Sequence, residues 1–172
     1  MTLMPKALLL VAALGLAACN NPDRFGAGGP GANGAGGFVD TTGLGDPNNP
    51  TSIAYFNQTV GDRVLFAVDQ STLSPEARTI LQGQAQWLAT NSQYAIIIEG
   101  HADEQGTREY NLALGARRAA AVQQFLMSQG VAPDRMKTIS YGKERPIEVC
   151  SEEACYSRNR RAVTVLSMGS GV

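Results

Sequence analysis

The chain has 172 residues, within the range of roughly 100–200 for one domain. Fourteen Lys and Arg against 15 Asp and Glu leave a net charge of −1. That excludes a strongly basic nucleic-acid binder, because no surplus of cations is present to displace phosphate counterions. His101 is the sole histidine, so a multi-histidine metal site cannot form within one chain; neither a metal nor a cofactor is expected.

Lys6 followed by an uncharged run from Ala7 to Ala18 has the pattern of a secretory signal peptide over residues 1–18. Twelve residues at about 1.5 Å each fall short of the ~30 Å hydrocarbon core. Leu16-Ala17-Ala18-Cys19 is similar to the lipobox of bacterial lipoproteins, in which the cysteine becomes a diacylglyceryl-modified N-terminus. Two acyl chains, at ~0.8 kcal/mol per buried CH₂, anchor stably where one does not. In many such lipoproteins an aspartate after the cysteine retains the protein in the inner membrane. Asn20 stands there instead, so the outer membrane, periplasmic face, is expected.

Residues 19–52 are expected to be the lipidated N-terminus and a disordered Gly/Pro-rich tether. Nine glycines and four prolines occupy residues 21–50, and the scattered apolar residues follow neither period 2 nor 3.6. Such a segment buries too little surface to offset its ordering entropy. As a Gly-rich coil its r.m.s. span is roughly 30 Å. A passive spacer and a tuned one are equally compatible with this composition.

The globular part is expected over residues 53–172. Arg63 to Val68 is a short apolar strand. Ser74 as N-cap, Pro75 at the first helical position and Glu76 at the positive helix end then predict a helix. Its inward face is Ala77, Ile80, Leu81, Gln84, Ala85 and Leu88, and Asn91 ends it. Tyr94 to Glu99 is β-branched and continuous, which predicts a central strand. A second helix runs from about Thr107 to Gln129, stopped by Gly130, with Leu112, Ala116, Ala119, Val122 and Leu126 inward. Met136–Ser140 and Arg161–Ser167 are the last strands. The order β-α-β-α-β-β predicts an α/β (α+β) two-layer sandwich, with helices packed on one face of a mixed sheet.

Cys150 and Cys155 remain after Cys19. The leader directs them to an oxidising compartment, where a disulfide is expected. So short a loop contributes only about 2 kcal/mol in the chain-entropy model. The rival reading, a two-cysteine metal site, lacks a nearby histidine, and the spacing is not the Cys-x-x-Cys of redox centres.

Asn111, Gly115, Arg118 and Val122 step by four, three and four along the second helix, which keeps them on one stripe. Asn111 and Arg118 can flank a notch floored by Gly115, with Asp103 at its mouth. Two readings stay open. A separated carboxylate and guanidinium suit a zwitterion, the guanidinium taking a carboxylate through its bidentate fork. The same pair can equally close on itself as an internal salt bridge. Arg160 and Arg161 read as a solvated pair at a strand start.

Gly100-His101-Ala102-Asp103, Gly106, Tyr110-Asn111, Leu114, Arg118-Ala119 and Val122 resemble the OmpA-like peptidoglycan-binding domain, whose helical motif is Asn-x-x-Leu-[Ser/Gly]-x-x-Arg-Ala-x-x-Val. Ser140 to Pro146 and Asn159 to Val163 match its downstream blocks. The resemblance spans about residues 60–168. It implies that Asp103 takes the ammonium, and Arg118 the carboxylate, of the meso-diaminopimelate in a peptidoglycan stem peptide. Leu114 would line the pocket, and Asn111 would hold the loop or the peptide. Asp69 falls where the family has another ligand-contacting polar residue. Ala67 departs from the Asp or Gly common in relatives.

With the lipobox and tether, the chain resembles the lipid-anchored branch of this family that works with TolB and the other Tol proteins. That branch implies a non-enzymatic tether of outer membrane to cell wall, with a role in envelope integrity and cell division. The alternative is a peptidoglycan-processing enzyme using His101, Asp103 and Glu104. His101 is otherwise a loop-ordering residue, hydrogen-bonded near the pocket. A flagellar stator protein can carry the same domain but needs a membrane-spanning helix, against which the short leader argues.

Overall fold

The computed structural model describes residues 43–168. The leader, Cys19 and most of the tether lie outside the described residues. Four strands form one sheet: β1 (Arg63–Leu65), β2 (Tyr94–His101), β3 (Met136–Gly142) and β4 (Arg161–Met168). Their spatial order is β1-β4-β2-β3. β4 pairs antiparallel with both β1 and β2, while β2 and β3 are parallel, so the sheet is mixed as expected.

The helices are α1 (Ile53–Tyr55), α2 (Pro75–Thr90), α3 (Arg108–Ser128) and α4 (Glu153–Asn159). The α2 start is the one its sequence encodes: the Ser74 hydroxyl accepts from Ala77 N, Pro75 opens the helix and Glu76 sits in its first turn. Thr107 caps α3 in the same way through Tyr110 N. Leu81 and Leu88 of α2, and Ala119 and Leu126 of α3, reach 0% exposure with Ile96 and Ile98 of β2. Each large apolar side chain so buried contributes roughly 1.5–3 kcal/mol. Ile97, on the opposite sheet face, is only half-buried. The long helices therefore cover one face, and the other is only partly covered, with Ala95 and His101 buried on it.

Several expectations are corrected. The segment from Gly43 to Ser52 belongs to the fold, not to a tether reaching residue 52. Leu44 packs on the core, Trp87 Nε1 donates to Pro50 O at 2.7 Å, and the Tyr94 hydroxyl donates to Thr51 O at 3.0 Å. These aromatic N–H and O–H groups need buried acceptors, and the incoming chain supplies them. β1 stops at Leu65 instead of Val68, because the backbone beyond Phe66 turns its carbonyls toward Arg118. On α3, Leu112 is 45% exposed and Ala116 is exposed, whereas Leu114, Gly115 and Arg118 are buried. The buried stripe is the motif stripe itself. α4 had no expected counterpart.

Glycine makes that stripe possible. A Cβ on Gly115 would lie 2.8 Å from Gly100 O and nearer still to Ser140 Oγ. Gly115 is thus the point where α3 crosses β2 and β3 in close contact, and not the open floor of a ligand notch. Close contact here fixes the height of the first α3 turns above the strand ends.

Candidate functional site

At the carboxyl end of β2 the chain enters the loop Ala102–Gly106, which four side chains hold from outside. Asn111 Nδ2 donates to Gln105 O at 2.6 Å, and Lys143 Nζ donates to Gly106 O at 2.7 Å. Asn159 Nδ2 donates to Glu104 Oε1 at 2.6 Å, and Arg160 Nη1 to Asp103 Oδ2 at 3.0 Å. Gly106 turns the loop at φ +88°, a left-handed conformation that favours glycine.

The loop walls a cavity of about 260 Å³ together with Val68, Asp69, Tyr110, Asn111 and Leu114. Four of the expected site residues therefore converge: Asp69, Asp103, Asn111 and Leu114. Asp69 is exposed, has φ +57°, and accepts a hydrogen bond from the Tyr110 hydroxyl. Asp103 is 8% exposed, with Oδ1 accepting from Gln105 N at 3.2 Å. A larger cavity of about 580 Å³ lies beside β1 and the start of α2. Its arginines are already paired, Arg63 with Asp62 and Arg158 with Glu148, so the smaller cavity carries more of the available chemistry.

Arg118 differs from the expectation. It has 0% exposure and does not line the cavity; it lies one turn of α3 beyond Leu114. Nε donates to Gln70 O at 2.8 Å, Nη1 to His101 O at 2.8 Å and Nη2 to Ala67 O at 3.1 Å. Three of its five N–H groups thus clamp the 67–70 loop to the last residue of β2. Burial pushes the guanidinium down to about 10, with Asp103 and Asp69 partly opposing that, so it stays charged at neutral pH.

The internal Asp103–Arg118 salt bridge is not the one formed. The partner of Asp103 is Arg160, and Arg160 with Arg161 is buried, at 4% exposure each, instead of solvated. Arg160 Nε also donates to Phe66 O at 3.2 Å, and Nη2 pairs with Glu153 of α4. Burial works against the Arg160 charge, but Glu153 and Asp103 outweigh it and hold its pKa above the ordinary value. The Asn159-Arg160-Arg161 block was legible as a motif, yet nothing local in the sequence marks Arg160 as the partner of a carboxylate 57 residues away.

The His101 ring lies outside the cavity. It stacks at 5.5 Å on Tyr141, and neither ring nitrogen has a hydrogen-bond partner; Glu99 Oε2 is 3.6 Å from Nε2. Only its backbone carbonyl serves the site. Burial, helped by Arg161 and Arg145, pushes its pKa down to about 4. Cys150 and Cys155 are disulfide-bonded with Cα atoms 5.9 Å apart, and they close the loop that leads into α4. Cys19 lies outside the described residues.

The site is thus a loop held over a cavity at the strand ends of a mixed sheet backed by two long helices. Residues 65–160 match the OmpA family model, and the chain belongs to that family. It is 51% identical to the peptidoglycan-associated lipoprotein of Mesorhizobium japonicum, across 99% of this chain and 96% of the relative. The crystal structure of the peptidoglycan-associated lipoprotein from Burkholderia pseudomallei is 39% identical, with a TM-score of 0.63, covering 71% of this chain and all of that one. The C-terminal domain of Helicobacter pylori MotB, at 21% identity and a TM-score of 0.59, covers 63% of this chain and 86% of that one, and shares the fold.

Proposed function

We propose that this chain is an outer-membrane lipoprotein that binds peptidoglycan non-covalently through the diaminopimelate of the stem peptide, and so ties the outer membrane to the cell wall. The observation that carries the reading is the convergence of Asp69, Asp103, Asn111 and Leu114 on one cavity, with the buried Arg118 cation within electrostatic reach of both carboxylates. An ammonium is drawn to the two carboxylates on the wall. A carboxylate on the same carbon is held by the positive field of Arg118, which keeps one unused N–H on each terminal nitrogen. The relatives' names support peptidoglycan as the polymer.

The acyl anchor belongs on Cys19, and TolB with the other Tol proteins are the proposed periplasmic partners, in the service of envelope integrity and cell division. No reaction is assigned. The enzymatic alternative relied on His101 beside Asp103 and Glu104, and the His101 ring is turned away from the cavity toward Glu99 and Tyr141.

Titration of the full chain with a stem tetrapeptide containing meso-diaminopimelate tests the site. Saturable binding that an equal concentration of the N-acetylated peptide cannot reproduce is expected. Equal binding of both peptides would refute ammonium recognition, and release of soluble fragments from purified sacculi would refute the non-enzymatic reading. Cys19→Ser, exported by another signal, should leave a soluble periplasmic form. Its retention in outer-membrane fractions free of peptidoglycan would refute the anchor.

A further inference from the structure

Asp103 does not face the cavity alone. Its Oδ2 is shared with Arg160, whose guanidinium is 5% exposed and is also claimed by Glu153. Arg160 Nη1 reaches Glu153 Oε2 at 3.4 Å as well as Asp103 Oδ2 at 3.0 Å, and Nη2 is bound to Glu153 Oε1. One cation is thus divided between two carboxylates. Glu153 is the first residue of α4, lies between the two cysteines in sequence, and is restrained with them by the disulfide. A second link runs in parallel, from Asn159 at the end of α4 to Glu104.

We infer that Arg160 is a positioning residue for the cavity, and that the disulfide-closed segment 150–160 sets how strongly Asp103 attracts a ligand ammonium. The inference rests on the function proposed above. While Glu153 holds Arg160, the cation is only partly spent on Asp103, and the carboxylate keeps negative charge to offer the ligand. When Glu153 is lost or moves away, Arg160 closes on Asp103 and competes with the ammonium. Glu153 lies outside the cavity wall, so it acts on the ligand only through Arg160.

The test compares the full chain with Glu153→Gln, Glu153→Asp and Glu152→Gln, using the diaminopimelate stem tetrapeptide as probe and melting temperature as a fold control. Glu152→Gln removes the same charge one residue away, from an exposed side chain with no side-chain cap bond. Losing one charge contact on Arg160 should weaken binding about two- to five-fold in Glu153→Gln. Glu153→Asp should restore part of that loss, and Glu152→Gln should bind like the parent. A merely structural role for Glu153 would instead track the melting temperature.

A second arm reduces the disulfide with dithiothreitol. Two electrons and two protons pass to it, giving two thiols and the cyclic disulfide of the reagent. Affinity should fall in the same direction as in Glu153→Gln and recover on reoxidation. Failure of the parent chain to bind the probe overturns the proposed function and this inference together. Parent binding that is matched by Glu153→Gln, or by Glu152→Gln falling equally, overturns the inference alone.

Discussion

Arg118 Nη1 donates to the carbonyl of His101 at 2.8 Å, joining the middle of α3 to the last residue of β2. The same guanidinium holds Ala67 O and Gln70 O, so one buried cation ties the 67–70 loop to the strand end from which the Ala102–Gly106 loop departs. Arg118→Ala should therefore lower stability and binding together. Three carbonyls lose a charged donor, but Ala67 and Gln70 are exposed and their carbonyls can turn to water, so the unsatisfied buried group is His101 O, at ~1–3 kcal/mol. Arg118→Lys offers one nitrogen where three acceptors surround a planar fork, so it should recover little of either. Arg117, adjacent and exposed, is the internal control, and Arg117→Ala should shift neither by more than a few tenths of a kcal/mol. Chemical denaturation and stem-peptide titration on the three variants decide. Full stability in Arg118→Ala would refute the clamp.

The crossing of α3 over β2 and β3 yields a second expectation. Gly115→Ala would push a methyl against Gly100 O and Ser140 Oγ, both held in place by the sheet and by the Ser140 hydroxyl bond to Leu112 O. Overpacking of this kind costs about 1–3 kcal/mol. It also lifts the first turns of α3, which carry Asn111 and Leu114, away from the loop. Melting should therefore drop and peptide affinity should fall with it. A Gly115→Ala protein with unchanged melting would show that the crossing has slack.

His101 sets a pH dependence. Its folded pKa is near 4 against 6.5 for the free residue, so the unfolded chain binds the proton first as pH falls. Its contribution is complete above pH 6.5 and is lost progressively as pH falls from 6.5 to about 4. At 1.36 kcal/mol per unit, the whole effect is about 3 kcal/mol. His101→Phe keeps a ring against Tyr141 but cannot protonate. Its stability should vary less between pH 6.5 and 4 than that of the parent. Parallel curves for the two proteins would remove His101 from the acid response.

Much of this was legible from local chemistry. Ser74-Pro75-Glu76 encodes the start of α2, Tyr94 to Ile98 the central strand, and the Asn111–Val122 stripe the helix that carries the site. The illegible parts depend on contacts between distant segments. The acceptors of Arg118 are backbone carbonyls 17 to 51 residues away, which have no side-chain signature. Asp103 chose Arg160 over Arg118 because α4 brings Arg160 to it, and α4 is a seven-residue helix too short to show periodicity. Leu112 and Leu114 are equally apolar, and only the Gly100–Gly115 crossing decides which of them faces inward.

Asp69 is the carboxylate that can be altered with least disturbance. It is exposed, its φ of +57° is a conformation that Asn also tolerates, and its side chain accepts from the Tyr110 hydroxyl across the cavity mouth. Asp69→Asn keeps the shape, the left-handed turn and an acceptor for Tyr110, and removes only the charge. Melting should stay within about 0.5 kcal/mol of the parent, as for surface substitutions generally. Peptide affinity should fall two- to five-fold, the size of an exposed charge contact of roughly 0.5–1 kcal/mol. Asp103→Asn should be worse on both counts, since it weakens a buried contact of Arg160, which keeps Glu153, as well as removing charge from the cavity, a change of about 1.5–3 kcal/mol for a charged hydrogen bond. Tyr110→Phe isolates the remaining element, because it frees the Asp69 oxygen without changing charge. If Asp69 meets the ammonium, Tyr110→Phe should bind as well as the parent or better, while Asp69→Asn binds less. Equal affinity in all three proteins would leave Asp103 as the only carboxylate in contact with the ligand.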